Sequence, residues 1–286
     1  MHLKRPSGSS LLMAPGLGWL ALFLVVPCAL VFLLAFFQRG IYGGIDYLFT
    51  LENFQRALDP LYLKILWQSA LIAGQATLIA LAIGYPAAYA IARAPARWQA
   101  ALLVLVMLPF WSNFLIRTYA WIVLLNRKGV INEALIDWGV TAEPLPLLYN
   151  SGAVITGLVY NYLPFVILAV YAALARLDKS LLEASEDLGA PPWRSFLRVT
   201  LPLSLPGVAA GAVFVFVLSI GNFITPDLLG GGRIQMVGNL IYDQFLTARD
   251  WPFGAALSLL LIAIMLALLF GQALLVRRAS ATREAA

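Results

Sequence analysis

The sequence predicts an all-α, polytopic membrane protein with about six transmembrane helices. Of its residues, 62% are hydrophobic and 12% are charged, and the mean hydropathy is +0.86, whereas soluble domains carry about 25% charged residues. A helix needs about 20 mainly apolar residues to cross a bilayer. Because a lone segment in lipid satisfies its backbone hydrogen bonds only as a helix, we predict helices at 12–37, 66–92, 100–125, 152–175, 203–224 and 254–276.

The first of these segments resembles a signal peptide only in its position near the start of the chain. Its apolar stretch is far longer than the roughly 7–15 residues of a signal-peptide core. We therefore expect a retained membrane anchor. The whole chain, 1–286, is predicted to form a single membrane domain, since it contains no internal repeat and no low-complexity tract.

The distribution of Lys and Arg predicts the orientation, because cytoplasmic loops are enriched in basic residues. With the N-terminus inside, eleven basic and five acidic residues lie on the inner side and leave a charge of +6. The outer side holds eight basic and nine acidic residues and has a charge of −1. Both termini and the 177–202 segment are thus expected in the cytoplasm of a bacterial cell, with the protein in its inner membrane. The inner basic residues are Lys4, Arg5, Arg93, Arg97, Arg176, Lys179, Arg194, Arg198, Arg277, Arg278 and Arg283.

Two longer connections face outward in this topology. They cover 38–65 and 126–151, and the second contains turn-forming Asn, Gly and Pro residues around an expected short helix at about 131–138. These connections could meet an external delivery protein.

Several classes of function are excluded by residue usage. The single Cys28 and the single His2 leave no disulfide framework and no Cys/His metal site. No phosphate-binding Gly-rich motif is present, no nucleophile is paired with a base, and Gly230–Gly232 is interpreted as a flexible bend after the fifth helix. The dispersed basic residues do not form a nucleic-acid patch. We therefore expect no cofactor, no metal and no catalysis, and place any ATP hydrolysis on another polypeptide.

The 177–202 segment is the long polar connection of the second half. Ser180 and Glu183 fit a capping box, which predicts a helix beginning at Leu181. Gly189 suits the left-handed residue after that helix, and the following Pro191-Pro192 pair suits the first turn of the next one. An alternative is a surface amphipathic helix resting on lipid headgroups through Arg194 and Arg198.

Polar residues within the apolar segments need partners. Gly207 and Gly211 form a small-xxx-small pair that favours close helix packing. Arg117 could snorkel outward and pair with Asp227, which follows Pro226 where we expect the fifth helix to break. Other polar residues either line a pathway or strengthen packing, namely Gln68, Ser69, Gln75, Thr77, Ser112 and Asn113.

The same 177–202 segment resembles the signature loop of ABC importer permeases. Glu183, Ala184, Gly189, Leu201 and Pro202 match the signature, while Ser185 replaces an Ala and Val199 replaces an Ile. The similarity to the spermidine/putrescine class of type I permeases continues in Leu108–Trp111, Leu115–Trp121, Tyr162–Phe165, Pro226–Gly231 and Arg249–Pro252.

This resemblance implies a permease subunit that pairs with a second, similar permease. It also implies two cytoplasmic ATPase subunits, a periplasmic binding protein and surrounding membrane lipid as partners. The seven signature positions would couple ATP hydrolysis to transport, so we name residues 177–202 the coupling segment. Cationic cargo needs carboxylates and aromatic faces, which makes candidates of Trp111, Tyr119, Tyr160, Tyr162 and Asp227.

Two alternatives stay open at this point. Relatives of the same class carry ferric ions, opines, amino acids or phosphonates, so the substrate is less defined than the transport mechanism. A stand-alone secondary transporter is disfavoured by the coupling segment and by the expected continuity of the helices.

Overall fold

The fold is helical throughout the spans, as expected. The structure is a computed structural model that describes residues 8–40 and 43–284; His2, Lys4 and Arg5 lie outside them. Five helices are long and apolar enough to cross a membrane, or up to six if one bent pair counts as a single span. The predicted all-α, polytopic fold is confirmed.

The first span is built from α1 (Gly8–Leu20), a π turn (Ala21–Val25) and α2 (Val26–Leu34). A two-stranded antiparallel hairpin follows, in which β1 (Gln38–Arg39) pairs Gln38 with Asp46 of β2 (Ile45–Asp46). The short α3 (Glu52–Ala57) then leads into the next span.

The second span is the 34-residue α4 (Pro60–Arg93). Its buried face repeats at about every fourth position, as expected for one side of a helix. Small residues on that face allow close approach of the fourth span: a Cβ added to Gly84 would lie 2.7 Å from Val166 Cγ1. The buried stripe comprises Ile72, Ala76, Ala80, Gly84, Ala88 and Ile91.

The third span is broken, and the prediction of one continuous helix at 100–125 is wrong. Helix α5 (Ala96–Met107) ends in a 3₁₀ turn (Leu108–Trp111), and the chain then bends by 85° into α6 (Phe114–Leu125). Pro109 cannot donate to the helical ladder, and Asn113 starts the new helix by accepting from the Leu115 N–H at 2.8 Å. The expected helix in the outer connection is present as α7 (Val130–Asp137).

The fourth and fifth spans form the main packing contact. Helix α8 (Ser151–Leu174) is followed by α9 (Lys179–Asp187) and α10 (Pro192–Ser195). A π turn (Phe196–Thr200) continues α10 into α11 (Leu201–Ile220), so the span runs unbroken from Pro192 to Ile220.

The fifth span ends earlier than predicted. It stops at Ile220 rather than at Pro226, because the chain leaves the helix at Gly221 and restarts as α12 (Ile224–Gly230). Pro226 lies in the first turn of α12, where a missing N–H costs nothing. The predicted glycine bend is present, but it follows α12: Gly231 and Gly232 have φ of 58° and 72°. Helices α13 (Val237–Leu246) and α14 (Trp251–Glu284) complete the chain.

The chain divides into two compact units. One comprises residues up to 63 together with 240–264, and the other comprises 64–239 and the residues from 265 onward. The core of the second unit is formed by α4, α8 and α11 with parts of α6 and α12, around residues such as Leu158, Val166 and Val215.

The first unit is ordered by polar contacts between its connecting segments. Arg56 Nη1 donates to Asp250 Oδ2 at 2.8 Å, and the guanidinium carbon lies 3.9 Å from the centre of the Phe253 ring. Partial burial is the largest single effect and opposes the charge of Arg56, but the hydrogen bonds and electrostatic interactions with Asp250 and Tyr62 together outweigh it and raise the pKa. Asp250 is 1% exposed and also accepts from the Phe253 N–H. Asp250 of the Arg249–Pro252 motif therefore stabilises the fold of the loop.

The two glycines of α11 predict different effects on stability. A Cβ at Gly207 would lie 2.5 Å from Ala173 Cβ and 2.7 Å from the Ala169 carbonyl oxygen. We expect Gly207→Ala to destabilise the protein by about 1–3 kcal/mol, because α8 and α11 must separate. At Gly211 the nearest atom is 3.2 Å away, so Gly211→Ala is the matched control with a smaller loss. Thermal unfolding of the purified proteins measures both, and equal melting temperatures would contradict the packing interpretation.

Candidate coupling and translocation sites

The coupling segment begins with a cap that differs from the predicted one. Helix α9 starts at Lys179, and its N-cap is Asp178, whose Oδ1 accepts from the Ser180 N–H at 3.0 Å. The predicted Ser180–Glu183 capping box is therefore wrong. Hydrogen bonds from the backbone and the hydroxyl of Ser180 lower the pKa of Asp178. Since the cap does not use Glu183, that carboxylate is left exposed to solvent.

The end of α9 has the predicted glycine bend. Gly189 has φ of 73°, its N–H donates to the Glu186 carbonyl at 2.8 Å, and the Ala190 N–H donates to the Ser185 carbonyl at 3.0 Å. These two bonds form a Schellman motif, which satisfies the last carbonyls of a helix and requires a left-handed residue. Pro191 and Pro192 then open α10, as predicted. The bend is thus fixed by backbone geometry.

A serine pair holds the two short helices together. The Ser185 hydroxyl hydrogen-bonds with Ser195 Oγ at 2.8 Å, and Ser195 is only 6% exposed. The replacement of an alanine by Ser185 in the signature therefore adds a link from α9 to the start of the fifth span.

The signature residues separate into two groups in the structure. Glu183, Ala184 and Gly189 are exposed, and the neighbouring Leu188 is 88% exposed with Trp193 beside it in sequence on α10. Val199, Leu201 and Pro202 are half-buried at the joint with α11. The first group, with Leu188 and Trp193, forms an exposed surface that carries apolar and acidic side chains, whereas the second connects that surface to the fifth span.

A cavity of about 700 Å³ lies beside the coupling segment within the second unit. The end of α4, the start of α5, the end of α8 and α9 enclose it. Glu183 and Glu186 line one side, and Arg93, whose guanidinium carbon is 4.7 Å from the centre of the Tyr89 ring, lines another.

The residues proposed for the substrate path have different surroundings. Trp111 and Tyr119 are exposed, and Tyr160 packs edge-to-face with Trp121 at 5.5 Å between ring centres. Tyr162 is half-buried, and its hydroxyl accepts from Asn222 Nδ2 at 2.7 Å. Asp227 is exposed on α12. Tyr162 is thus fixed next to the break between α11 and α12.

Arg117 is buried without the expected partner. It is 8% exposed, and in the described part of the chain it forms no ion pair with Asp227, while its Nε has no hydrogen-bond partner. Its guanidinium carbon lies 5.1 Å from the centre of the Phe110 ring and 5.9 Å from that of Phe114. The predicted Arg117–Asp227 pair is therefore absent from this conformation, and cation–π contacts at the broken third span take its place.

Of the six polar residues named from the sequence, four form hydrogen bonds within the described chain, namely Ser69, Thr77, Ser112 and Asn113. Ser69 donates to the Ile65 carbonyl at 2.7 Å and accepts from the Val237 N–H at 2.8 Å, and Thr77 donates to the Ala73 carbonyl. Ser112 donates to the Pro109 carbonyl at the bend. Gln75 is exposed and Gln68 half-buried.

Two residues of this region were not singled out by the sequence. Asn222 bonds Tyr162 and also accepts from the Thr225 N–H at 2.9 Å, which starts α12. The Gly221-Asn222 pair is the signal for this break, because Asn and Gly favour helix ends and caps. Phe196 of the coupling segment, which contacts two tyrosines of α4, has no comparable sequence signal. In the sequence it is one of several apolar residues on an amphipathic helix.

Long apolar helices joined to an exposed, bent segment are typical of a membrane transport subunit that is driven by a separate soluble subunit. The chain belongs to the family described as binding-protein-dependent transport system inner membrane component, whose model matches residues 10–281. It is a multi-pass membrane protein and a transport subunit, and not an enzyme.

Two relatives match most of their own length. The chain is 44% identical over 254 residues to the spermidine/putrescine transport system permease protein PotB of Haemophilus influenzae, covering 88% of each protein. It is 42% identical over 248 residues to the protein of the same name from Escherichia coli, covering 87% of this chain and 90% of the relative.

The fold has a solved counterpart as well. It matches the crystal structure of a bacterial ABC transporter involved in the import of the acidic polysaccharide alginate, with a TM-score of 0.76 at 19% identity, over 93% of this chain and 94% of that one. At this identity the likeness concerns the fold alone, and it confirms the predicted ABC importer permease architecture.

Proposed function

We propose that this chain is the permease subunit of an ATP-driven importer that carries a polyamine-like cation such as putrescine or spermidine. The identity to two spermidine/putrescine permeases over nearly nine-tenths of the chain carries this proposal. Both compact units belong to one permease domain, 1–286, since the family match extends across them. The permease itself does no covalent chemistry.

The partners follow from the coupling segment. An ATPase dimer docks on the surface formed by Leu188, Trp193 and the exposed signature residues, and a second, homologous permease completes the path in the lipid bilayer. A periplasmic binding protein delivers the substrate to the opposite side. ATP binding draws the ATPases together and moves the coupling segments, which switches the permease pair between its inward-facing and outward-facing states.

A cationic cargo suits the acidic and aromatic residues of the outer half. Asp227 attracts the charge, and the faces of Trp111, Tyr119, Tyr160 and Tyr162 offer cation–π contacts. An opine, amino acid, phosphonate or ferric ion is the alternative within the same class. Calorimetry with the binding protein distinguishes these ligands.

The deciding experiment is co-expression with the ATPase, the second permease and the binding protein encoded beside it, followed by co-purification and spermidine uptake in proteoliposomes. ATP-dependent uptake that requires all subunits supports the proposal. Uptake by the chain alone would favour a stand-alone secondary transporter. The breaks in the third span and after α11 remove the continuity of helices as a reason against that alternative, so the coupling segment and the family are the remaining ones.

The orientation is a testable part of this proposal. With both termini and the coupling segment in the cytoplasm, Leu188→Cys in a Cys28→Ala background, expressed without the ATPase, should react with an impermeant maleimide only after permeabilisation. Leu188 suits this labelling because its side chain is exposed to solvent in the subunit. A cysteine at Trp138, which is 79% exposed in the 126–151 connection, is the control and should react in intact cells. The reverse labelling pattern would show that the topology is opposite to the predicted one.

A further inference from the structure

Phe196 is held between two tyrosines of α4. Its ring centre lies 5.8 Å from that of Tyr85 and 5.5 Å from that of Tyr89, with interplanar angles of 83° and 85°. Tyr85 and Tyr89 are four residues apart and so lie on the same face of the helix. Two nearly perpendicular contacts from one face resist movement of the Phe196 ring along α4 in either direction. We name these three residues the aromatic clamp.

The aromatic clamp is connected to both parts that must move together. Ser195, the residue before Phe196, hydrogen-bonds with Ser185 of α9. On the other side, the Tyr85 hydroxyl hydrogen-bonds with Ser204 Oγ of α11 at 2.9 Å. A displacement of α9 would therefore move Phe196 through the Ser185–Ser195 hydrogen bond. The contacts of the aromatic clamp would then move α4 and α11.

The backbone at the clamp is a π turn. The Leu201 N–H donates to the Phe196 carbonyl across five residues, and Thr200, 2% exposed, has a hydroxyl without a partner. π turns occur mainly as single bulges at functional positions. Return of this turn to α geometry would let the Thr200 hydroxyl bond the Phe196 carbonyl four residues back and would rotate α10 relative to α11. Thr200 itself lines the neighbouring cavity.

We infer that Phe196, gripped by Tyr85 and Tyr89, is the positioning residue that transmits movement of the coupling segment to the membrane spans. This inference rests on the proposed function. The aromatic clamp determines how much substrate is transported for each ATP hydrolysed. The exposed residues of α9 and α10 bind the ATPase.

The test is the ratio of substrate imported to ATP hydrolysed by the reconstituted complete transporter, with spermidine as the probe. We expect Phe196→Ala to lower this ratio by at least about threefold, with the ATPase still bound on size-exclusion chromatography. Tyr85→Leu should give a smaller loss, because Tyr89 still contacts Phe196. The double variant should lose no more than Phe196→Ala, because that variant already lacks the Tyr85 contact. Tyr85→Phe keeps the ring contact and removes only the hydrogen bond to Ser204, so its loss should be smaller than that of Tyr85→Leu.

Phe270→Ala is the matched control, since Phe270 is an exposed phenylalanine of α14 outside the clamp; its ratio should equal that of the unmodified protein. An unchanged ratio in Phe196→Ala, or additive losses in the double variant, would overturn the inference. Loss of ATPase binding in Phe196→Ala together with Tyr85→Leu would also overturn it, because the clamp would then hold the docking surface. Failure of the unmodified chain to bind the ATPase would instead refute the proposed function.

Discussion

Gly189→Val should abolish uptake, with a loss of at least about 100-fold, while the membrane bundle still inserts. A β-branched residue is strongly strained at the φ of 73° that Gly189 adopts. Relief of that strain breaks the Schellman motif and redirects α10 relative to α9, so the exposed residues of the two helices no longer present one surface. Uptake and ATPase co-purification should fall together in the same membranes.

Gly189→Asn is the control for this prediction, because Asn tolerates left-handed geometry. Within the described chain no atom lies within 4 Å of a Cβ at this position, so an Asn side chain meets no obstacle in the subunit itself. Retained uptake in Gly189→Asn together with its loss in Gly189→Val assigns the effect to the bend. Loss in both variants would mean that a partner packs directly on Gly189. Normal uptake in Gly189→Val would remove the segment from the coupling role.

The sequence predicted this bend because its determinants are local. Gly189, Pro191 and Pro192 restrict the backbone whatever surrounds them. The positions of the spans were predictable for the same reason, since hydropathy over about 20 residues needs no knowledge of neighbours. The helix start was missed because Asp178 and Ser180 are both good N-caps, and the sequence does not decide between two caps two residues apart.

The broken third span shows where hydropathy fails. Residues 108–111 are as apolar as the residues of a continuous transmembrane helix, so hydropathy does not reveal the bend. Only Pro109 and the N-cap residue Asn113 indicate it. Contacts between distant residues were equally out of reach. The Ser185–Ser195 and Tyr162–Asn222 hydrogen bonds depend on the path of the chain through the fold, and so does the separation of Arg117 from Asp227.

That separation leads to the second large effect, which is a loss of affinity for cationic substrate in Asp227→Asn. Asp227 is exposed on α12 and forms no ion pair with Arg117, so its charge is free to attract a substrate. A polyamine carries at least two ammonium groups at neutral pH, since alkyl amines titrate near pH 10. An attraction of about 1 kcal/mol at an exposed carboxylate corresponds to about a fivefold rise in the apparent KM for uptake.

Asp227→Glu should retain most of this affinity, because the charge is kept. Asp137→Asn, which neutralises an exposed acid of α7, controls for the general charge of the outer face and should leave the KM nearly unchanged. The maximal rate and the co-purification of partners should be the same in all three variants, since Asn preserves the shape of Asp.

The Arg117→Gln/Asp227→Asn double variant separates attraction of substrate from a structural ion pair. If Asp227 acts on the substrate, neutralising Arg117 cannot restore its charge, and the KM should remain raised. If the two residues pair in another state of the transport cycle, each single variant leaves one charge uncompensated in a low-dielectric region, and removing both relieves that penalty. Uptake by the double variant that exceeds both single variants would therefore contradict the assignment of Asp227 to the substrate path.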